Sequence, residues 1–230
     1  MGYTLSQLRT MAWDAVGELS TDSAFTSTQL TQWINVGLQK LSIESLYYEK
    51  TISSLSVSAG TRTVTLPSDF IVTRHVLYTP SGGATRELAP VSYGMIRWEV
   101  TTQGNPQIYT IAVGSLVLDP PPNATSSSLL SGFYIAREPS LSGDSDEPML
   151  PDEFRPYLAH YAAYEMMMVD NQPNQAQNHL QQFLEGQRSL TARFWDERIR
   201  RNMSMFREGA LNVSRARVDL QGDQAVGDGG

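Results

Sequence analysis

Leu150-Pro151-Asp152-Glu153-Phe154-Arg155-Pro156-Tyr157-Leu158 marks the point where a strand-rich region gives way to helices. Asp152 is a suitable N-cap, because its carboxylate can accept a hydrogen bond from a free N–H of the first helical turn. Apolar residues then recur at helical spacing. The pattern predicts a helix whose buried face is formed by Leu158, Tyr161, Ala162, Met166 and Val169.

Beyond this helix, the stretch 171–174 (Asn-Gln-Pro-Asn) interrupts the periodicity. A second, long helix is predicted from Gln175 to Arg201, with an apolar side made of Ala176, Leu180, Phe183, Leu184, Leu190, Phe194 and Ile199. From Asn202 onward no period is sustained, and the chain ends in Gly-Asp-Gly-Gly. We therefore expect residues 202–230 to form an extended arm that is mobile when free.

The region before residue 150 alternates with period two, which is typical of strands. Residues 139–148 predict a polar linker, and Val91 to Val100 predict a short helix that carries Trp98. The strand predictions are 52–58 and 62–66, joined as a hairpin through 59–61; 71–78; 107–112 and 115–119, joined as a hairpin through Val113-Gly114; and 129–137.

Two helices are predicted at the N-terminus, and each begins with a capping box. Thr4 and Gln7 are spaced to satisfy each other's free backbone N–H groups, and Thr26 and Gln29 repeat the arrangement. Helical spacing continues to about Leu19 in the first case and through Trp33, Ile34 and Leu41 in the second. The short loop between them favours antiparallel neighbours.

Together these patterns predict an α+β protein. Two N-terminal and two C-terminal helices would form an antiparallel bundle, with a small antiparallel β domain inserted between them and an extended C-terminal arm. The predicted boundaries are 1–46 and 149–201 for the bundle helices, 47–138 for the β domain and 202–230 for the docking arm.

The charge is distributed unevenly along the 230 residues, whose formal net charge is −7. Residues 1–187 contain 9 Lys or Arg and 18 Asp or Glu, whereas residues 188–217 contain 8 Arg and 3 Asp or Glu. Duplex nucleic acid carries about one negative charge per 1.7 Å, so the acidic body disfavours polyanion binding. The arginine-rich stretch is the one plausible basic contact surface.

No targeting signal is evident in the sequence. No apolar run approaches the roughly 20 residues that span a bilayer, and the N-terminus lacks the pattern of a signal peptide. The simplest interpretation is synthesis and use in a cytoplasm.

The sequence offers little catalytic chemistry. It has no cysteine, and His75, His160 and His179 lack the spacing of a zinc site, so we interpret them as ordinary histidines. The acidic residues between 144 and 153 do not match a calcium loop and favour a solvated linker followed by a helix N-cap. Ser81-Gly82-Gly83 is better explained as a turn than as a phosphate loop. We therefore expect no enzyme activity, cofactor or metal.

The order of these elements resembles the head-to-tail adaptor, or connector, family of tailed bacteriophages. The matching pieces are the segment Thr4–Leu19, the stretch Leu30-Thr31-Gln32-Trp33-Ile34-Asn35-Val36-Gly37, the stretch 150–158 quoted above, the run Tyr161-Ala162-Ala163-Tyr164-Glu165 and the long helix that follows. The resemblance covers most of residues 3–200; the tail after Arg201 lies outside it.

The resemblance implies a structural virion protein of the phage neck. Such adaptors form a twelvefold ring under the portal protein, extend the DNA channel for genome ejection and offer a platform to a tail or nozzle protein. Genomic DNA passes without sequence-specific binding, and no cofactor, catalytic residue or membrane is implied. Assembly would take place in the host cytoplasm.

The C-terminal part has the character of a docking segment. Cations end the last helix, where they favour the helix dipole, and apolar residues are scattered beyond it too sparsely to form a core. The residues predicted to dock on the portal or on a neighbouring subunit are Arg193, Arg198, Arg200, Arg201, Met203, Met205, Phe206, Leu211, Val213, Val218 and Leu220. Equally plausible is a simple exposed helix end, with the arginines balanced by Glu185, Asp196 and Glu197.

Three other functions remain open at this stage. A carbohydrate- or receptor-binding tail component would use an aromatic platform on the β domain, formed from Tyr93, Trp98, Tyr109 and Tyr134. A hydrolase would use the acids of 144–153, although a nucleophile and base are missing from the pattern. A nucleic-acid binder would use the arginine-rich helix end.

Overall fold

The computed structural model describes residues 2–17, 24–53, 55–80, 82–126 and 129–194. Within these residues the chain forms four α-helices and two four-stranded, mainly antiparallel sheets. The predicted α+β class is therefore confirmed. None of the helices in the described part of the chain combines the length and hydropathy needed to cross a membrane.

Helices α1 (Leu5–Val16) and α2 (Ser27–Ser45) begin as predicted. Thr4 and Thr26 each accept a hydrogen bond from the N–H of the Gln three residues later, and the side-chain oxygen of that Gln accepts one from the backbone N–H of the cap residue. The predicted end of the first helix near Leu19 is wrong. Gly17 adopts a left-handed conformation at φ 77° and closes the helix after Val16.

Helices α3 (Pro156–Val169) and α4 (Pro173–Phe194) follow the β region. The prediction of Asp152 as the N-cap of α3 is wrong, because Asp152–Phe154 form a separate 3-10 turn. Pro156 takes the first helical position, where its missing N–H would have no partner in any case. The predicted end of α4, Arg201, lies outside the described residues.

Eight strands make up the two sheets. Their bounds are β1 Glu49–Ile52, β2 Thr63–Thr65, β3 Phe70–Tyr78, β4 Arg86–Glu87, β5 Ala89–Pro90, β6 Ile108–Ala112, β7 Ser115–Asp119 and β8 Leu130–Ala136. One sheet has the order β1-β8-β3-β4 and the other β2-β7-β6-β5. The predicted strands at 71–78 and 129–137 correspond closely to β3 and β8.

One predicted hairpin is present and the other is wrong. β6 and β7 pair antiparallel around Val113-Gly114, as expected. In the described residues the two predicted segments are not paired: β2, within 62–66, pairs with β7, whereas Ile52 ends β1 in the other sheet and Val57 forms an isolated bridge with Ser126. A turn does form, with the N–H of Thr61 donating to Ser58 at 3.1 Å, but the strands on its two sides separate.

The predicted helix at 91–100 is also wrong. Only Tyr93–Met95 form a 3-10 turn, and Ile96 returns to extended backbone at ψ 125°. Ser92 gives no side-chain cap, and the N–H of Val91 is already engaged by the carbonyl of Tyr109 in β6. The Val91 N–H is therefore already bonded to the neighbouring sheet, at the position where the predicted helix would have to begin.

The chain divides into two compact units. The helical unit contains Met1–Glu49 and Ile135–Trp195, and the β unit contains Lys50–Tyr134. In the helical unit α3 contacts each of the other three helices around a shared core, whose fully buried members include Leu5, Leu8, Leu30, Ile34, Leu38, Leu41, Leu150, Leu158 and Leu190.

The β unit has a buried core of its own. Its buried residues include Val64, Val76, Tyr78, Leu116, Leu118 and Leu130. Thr73 in β3 and Tyr109 in β6 share a hydrogen bond of 2.8 Å between their buried hydroxyls, which links one sheet to the other. Burial raises the pKa of Tyr109 to about 12, so this hydroxyl stays protonated and able to donate.

Candidate assembly surfaces

The connecting segment, residues 137–151, joins β8 to the 3-10 turn before α3 and lies within the helical unit. It was predicted as a solvated linker, but its backbone is fastened to α2. Asn35 donates from Nδ2 to the carbonyl of Leu141 at 2.9 Å and accepts from the Leu141 N–H at 2.8 Å. One turn later Gln39 donates to the carbonyl of Glu138 at 2.7 Å.

The same segment also caps α1. The N–H groups of Leu5 and Ser6 donate to the carbonyls of Asp146 and Asp144, at 2.8 and 3.1 Å. The first turn of a helix has free N–H donors, so these contacts satisfy two groups that would otherwise need water. Arg9 pairs with the carboxylate of Asp144 in the same place. The connecting segment therefore ties α1 and α2 together.

The acidic residues considered as catalytic candidates are engaged in hydrogen bonds and ion pairs with nearby groups. Asp146 accepts from the N–H groups of Ser142 and Gly143, which hold its pKa below the ordinary value. Arg155 pairs with Glu147 at 2.8 Å and with Asp152 at 3.2 Å. Among the described residues no group of three or more His, Cys, Asp or Glu is arranged to hold a metal ion.

Glu138 is the buried acid that the sequence interpretation missed. It is 2% exposed, and burial raises its pKa to about 7, against the opposing influence of the Met149 N–H and of Arg155. Oε1 accepts a hydrogen bond from Met149, whereas Oε2 is buried without a protein partner. No sequence signal separates Glu138 from the exposed acids nearby, because its burial depends on where α2 passes.

In the β unit, an ionic cluster of Arg62, Asp119 and Arg97 holds the loop at 91–106. Arg62 donates to Asp119 at 2.6 Å, and Arg97 donates to the other oxygen of the same carboxylate at 3.0 Å. Arg62 also donates to the carbonyl of Arg97 at 2.8 Å and to that of Val100. Burial alone would raise the pKa of Asp119, but the two arginines outweigh it and the pKa is lowered.

The loop held in this way presents three large apolar side chains to solvent. Tyr93, Met95 and Trp98 are each about half exposed, and the rings of Tyr93 and Trp98 lie 5.1 Å apart. The four-member aromatic platform suggested by the sequence is wrong in part, since Tyr109 and Tyr134 are buried in the core. The exposed apolar surface of the β unit thus lies on this loop and at Val113, the fully exposed tip of the β6–β7 hairpin.

The helical unit exposes apolar side chains as well. Val36 and Ile43 are nearly half exposed on α2, and their spacing of seven residues places them on one side of the helix. Met168 and Val169 are exposed at the end of α3, so the predicted burial of Val169 is wrong. Of the adjacent methionines, Met166 and Met167 are buried, as expected for core residues.

Of the predicted docking residues, Arg193 is the one that falls within the described residues. Its side chain is 53% exposed, pairs with Glu153, and lies over the rings of Phe154 and Phe194 at 6.0 and 5.4 Å. The other predicted docking residues lie outside the described part of the chain, namely Arg198, Arg200, Arg201, Met203, Met205, Phe206, Leu211, Val213, Val218 and Leu220.

Two histidines treated as unremarkable meet between α3 and α4. The Nδ1 atoms of His160 and His179 lie 3.3 Å apart, which is a hydrogen-bond contact that requires one donor and one acceptor. Burial lowers the pKa of both rings, and the charge of His179 lowers that of His160 further. Sequence spacing gave no sign of this pair, because the two residues lie on different helices.

These features define a two-unit α+β protein. The described residues combine a helical unit and a β unit, each with its own core and exposed apolar side chains, and the acidic residues near α3 are engaged in structural contacts. The chain belongs to the SU10 adaptor protein family, whose family model matches residues 3–213. The resemblance to bacteriophage adaptors is thereby confirmed. A comparison with curated proteins found no match.

Membership in the family carries a general functional statement. An adaptor of a bacteriophage is a virion component that contacts other structural proteins of the phage. The matched range extends beyond Phe194, the last described residue, and so includes part of the predicted docking arm.

Proposed function

We propose that this protein is the head-to-tail adaptor subunit of a tailed phage. Twelve copies form a ring below the portal protein, extend the DNA channel and provide the platform on which a tail or nozzle protein attaches. The observation that carries the proposal is the match of the adaptor family to residues 3–213 of the 230. In this role the protein is not an enzyme, and the host cytoplasm is where it is assembled into the virion.

The charge of the two units supports a channel role. Residues 1–49 and 135–195 contain 6 Lys or Arg and 14 Asp or Glu, a net charge of −8, whereas residues 50–134 contain 5 and 4, a net charge of +1. An acidic wall repels the phosphate backbone and lets DNA slide past without adhering. The helical unit is therefore the part suited to surround the DNA path, with its helices as an antiparallel bundle.

A closed ring requires two different surfaces on each subunit, because each copy meets its neighbours head to tail. The exposed apolar residues of α2 and of the loop at 91–106 are candidates for such surfaces. The arm, residues 202–230, would dock on the portal or on the adjacent subunit. Ordering it costs about 1–2 kcal/mol of backbone entropy per residue, so several apolar anchors worth roughly 1.5–3 kcal/mol each are needed.

Electron microscopy of the purified protein mixed with its portal protein tests the ring. We expect twelvefold particles in which the adaptor extends the portal channel. A chain truncated after Arg201 should keep its fold, as judged by circular dichroism, and fail to join the portal. Binding of that truncated chain with unchanged affinity would show that the arm is not the docking element, and a mixture that yields no ring would contradict the proposal itself.

A carbohydrate- or receptor-binding tail component is a second candidate, favoured by the exposed Tyr93–Trp98 pair on the β unit. Exposed aromatic faces are suited to stacking on the apolar faces of sugar rings. Glycan-array binding that is lost in Trp98→Ala, and kept in a control such as Val113→Ala, would support this candidate. An array without signal for the native chain would remove it.

A further inference from the structure

The region around Glu138 contains more buried acceptors than donors. Oε2 of Glu138 is buried without a protein partner, and so is Oε1 of Gln39. The two residues are already joined, since Nε2 of Gln39 donates to the carbonyl of Glu138 at 2.7 Å. A buried oxygen without a donor is costly, so two of them held by one pair of residues require an explanation.

A single proton removes the buried charge. When Oε2 of Glu138 is protonated, the carboxyl group is neutral and Oε2 becomes a donor, while Oε1 keeps the hydrogen bond from the Met149 N–H. When Glu138 is ionised, a full negative charge lies in a side chain that is 2% exposed. Burial of an unpaired charge is unfavourable, so ionisation weakens whatever keeps the carboxyl group inside.

Among the described residues, the groups that hydrogen-bond Glu138 supply no dedicated counter-charge. From α2 the neutral Gln39 donates to its backbone carbonyl, and from the connecting segment the backbone N–H of Met149 donates to its carboxyl group. The cation nearby is Arg155, which already donates to the carbonyl of Leu150 and pairs with Glu147 and Asp152. Arg155 is thus shared among other acceptors, and its attraction only partly offsets the cost of burying Glu138.

We propose that Glu138 is a proton-operated latch between the connecting segment and α2. With the proton bound, Glu138 is buried and the segment 138–149 is held on Gln39. With the proton released, the carboxylate is drawn toward water and the contact between Glu138 and Met149 opens locally, while Leu141 keeps its pairing with Asn35 and its place in the helical core. The device would adjust how firmly the connecting segment restrains α1 and α2.

The direction of the pH response follows from linkage. The buried form holds its proton up to a pKa of about 7, whereas a solvated glutamate releases it near 4.5. The closed form, with Glu138 buried, is therefore favoured most below pH 4.5. As the pH rises from 4.5 to 7, the equilibrium constant for opening increases by up to tenfold per pH unit. Above 7 both forms are ionised and the response levels off.

Hydrogen exchange of the full-length chain tests the latch, with the Met149 amide as reporter. We expect its protection factor to fall by up to about tenfold per pH unit as the pH rises toward 7, then to level off. Glu138→Gln places an amide donor where the proton would be, and its protection factor should stay high and independent of pH. Glu44→Gln makes the same chemical change at an exposed position of α2 and should behave like the native chain.

Direct titration by carbon NMR of labelled glutamate separates the latch from general instability. The Glu138 carboxyl should titrate with a midpoint near pH 7. This measurement tests the proposal in the native chain, without any substitution. A midpoint near 4.5, or a Met149 protection factor with the same pH dependence in Glu138→Gln as in the native chain, would overturn the proposal.

Discussion

The side chain of Asn35 pairs with the backbone of Leu141 as a neighbouring β-strand would, donating to its carbonyl at 2.9 Å and accepting from its N–H at 2.8 Å. Leu141 is buried, so water does not readily replace these bonds. A side-chain amide offers one donor and one acceptor at the required separation, which explains an asparagine within an otherwise amphipathic helix. The pair anchors the middle of the connecting segment to α2.

We expect Asn35→Ala to lower the free energy of unfolding by about 2–4 kcal/mol. The substitution leaves two backbone groups of a buried residue without partners, each worth about 1–3 kcal/mol. Urea denaturation monitored by circular dichroism measures the change. Gln32→Ala, at an exposed position one turn earlier on the same helix, is the matched control and should stay within about 0.5 kcal/mol of the native chain.

The ionic cluster in the β unit predicts a larger effect. The Asp119 side chain is fully buried and pairs with both Arg62 and Arg97. We expect Asp119→Asn to destabilise the protein by about 3–5 kcal/mol, since breaking a buried ion pair leaves a charge without its partner. Asp144→Asn removes one side of a pair whose carboxylate is 76% exposed, and should cost at most about 1 kcal/mol.

The hairpin tip predicts a substitution that stabilises the protein. Val113 has φ 47° and Gly114 has φ 69°, and the left-handed conformation at Val113 is strained for a β-branched residue. Val113→Asn should raise the free energy of unfolding by about 1 kcal/mol, because Asn-Gly is the preferred pair in such turns. Val113→Ala keeps a side chain unsuited to this conformation, so a gain as large as that of Asn would show that the strain is not the cause.

The pair His160–His179 predicts a loss of stability in acid. The folded pKa of each ring is lowered by burial, so the unfolded chain binds protons more readily as the pH falls below 6.5. Stability from this pair is therefore present above 6.5 and is lost as the pH decreases through the folded pKa values. Chemical denaturation between pH 7.5 and 5 should show a shallower decline in the double variant His160→Gln, His179→Gln.

Glu138 titrates in an overlapping range with the opposite sign, so the histidine experiment is best made in the Glu138→Gln background. In that background the pH dependence of the free energy of unfolding no longer includes the titration of Glu138. If the double histidine substitution leaves the slope of stability against pH unchanged in that background, the proximity of the two rings has no energetic consequence.

Local chemistry made the starts of the two N-terminal helices predictable. The capping boxes at Thr4 and Thr26 involve residues three apart, and the β6–β7 hairpin closes over two residues. Both features are therefore determined by residues that are close in sequence. The pairing of β2 with β7 could not be predicted in this way. It joins residues 63–65 to 115–117, and alternation along a strand does not say which strand lies beside it.

The same limit applies to the candidate surfaces. Tyr93 and Trp98 are exposed whereas Tyr109 and Tyr134 are buried, although all four were equally plausible platform members in the sequence. Burial of Glu138 and the meeting of His160 with His179 depend on contacts between distant parts of the chain. The family resemblance rests on the order of the helices and strands, and this order is unchanged when the prediction of an individual strand is wrong.

The helical unit is discontinuous in the chain, since it combines residues 1–49 with residues 135–195. During synthesis on the ribosome, α1 and α2 emerge first and have no α3 to cover their apolar faces. The described part of the β unit, residues 50–134, is contiguous and can fold as soon as it has left the exit tunnel. We therefore expect the N-terminal helices to depend on chaperones until the residues from Leu150 onward have been synthesised and can cover their apolar faces.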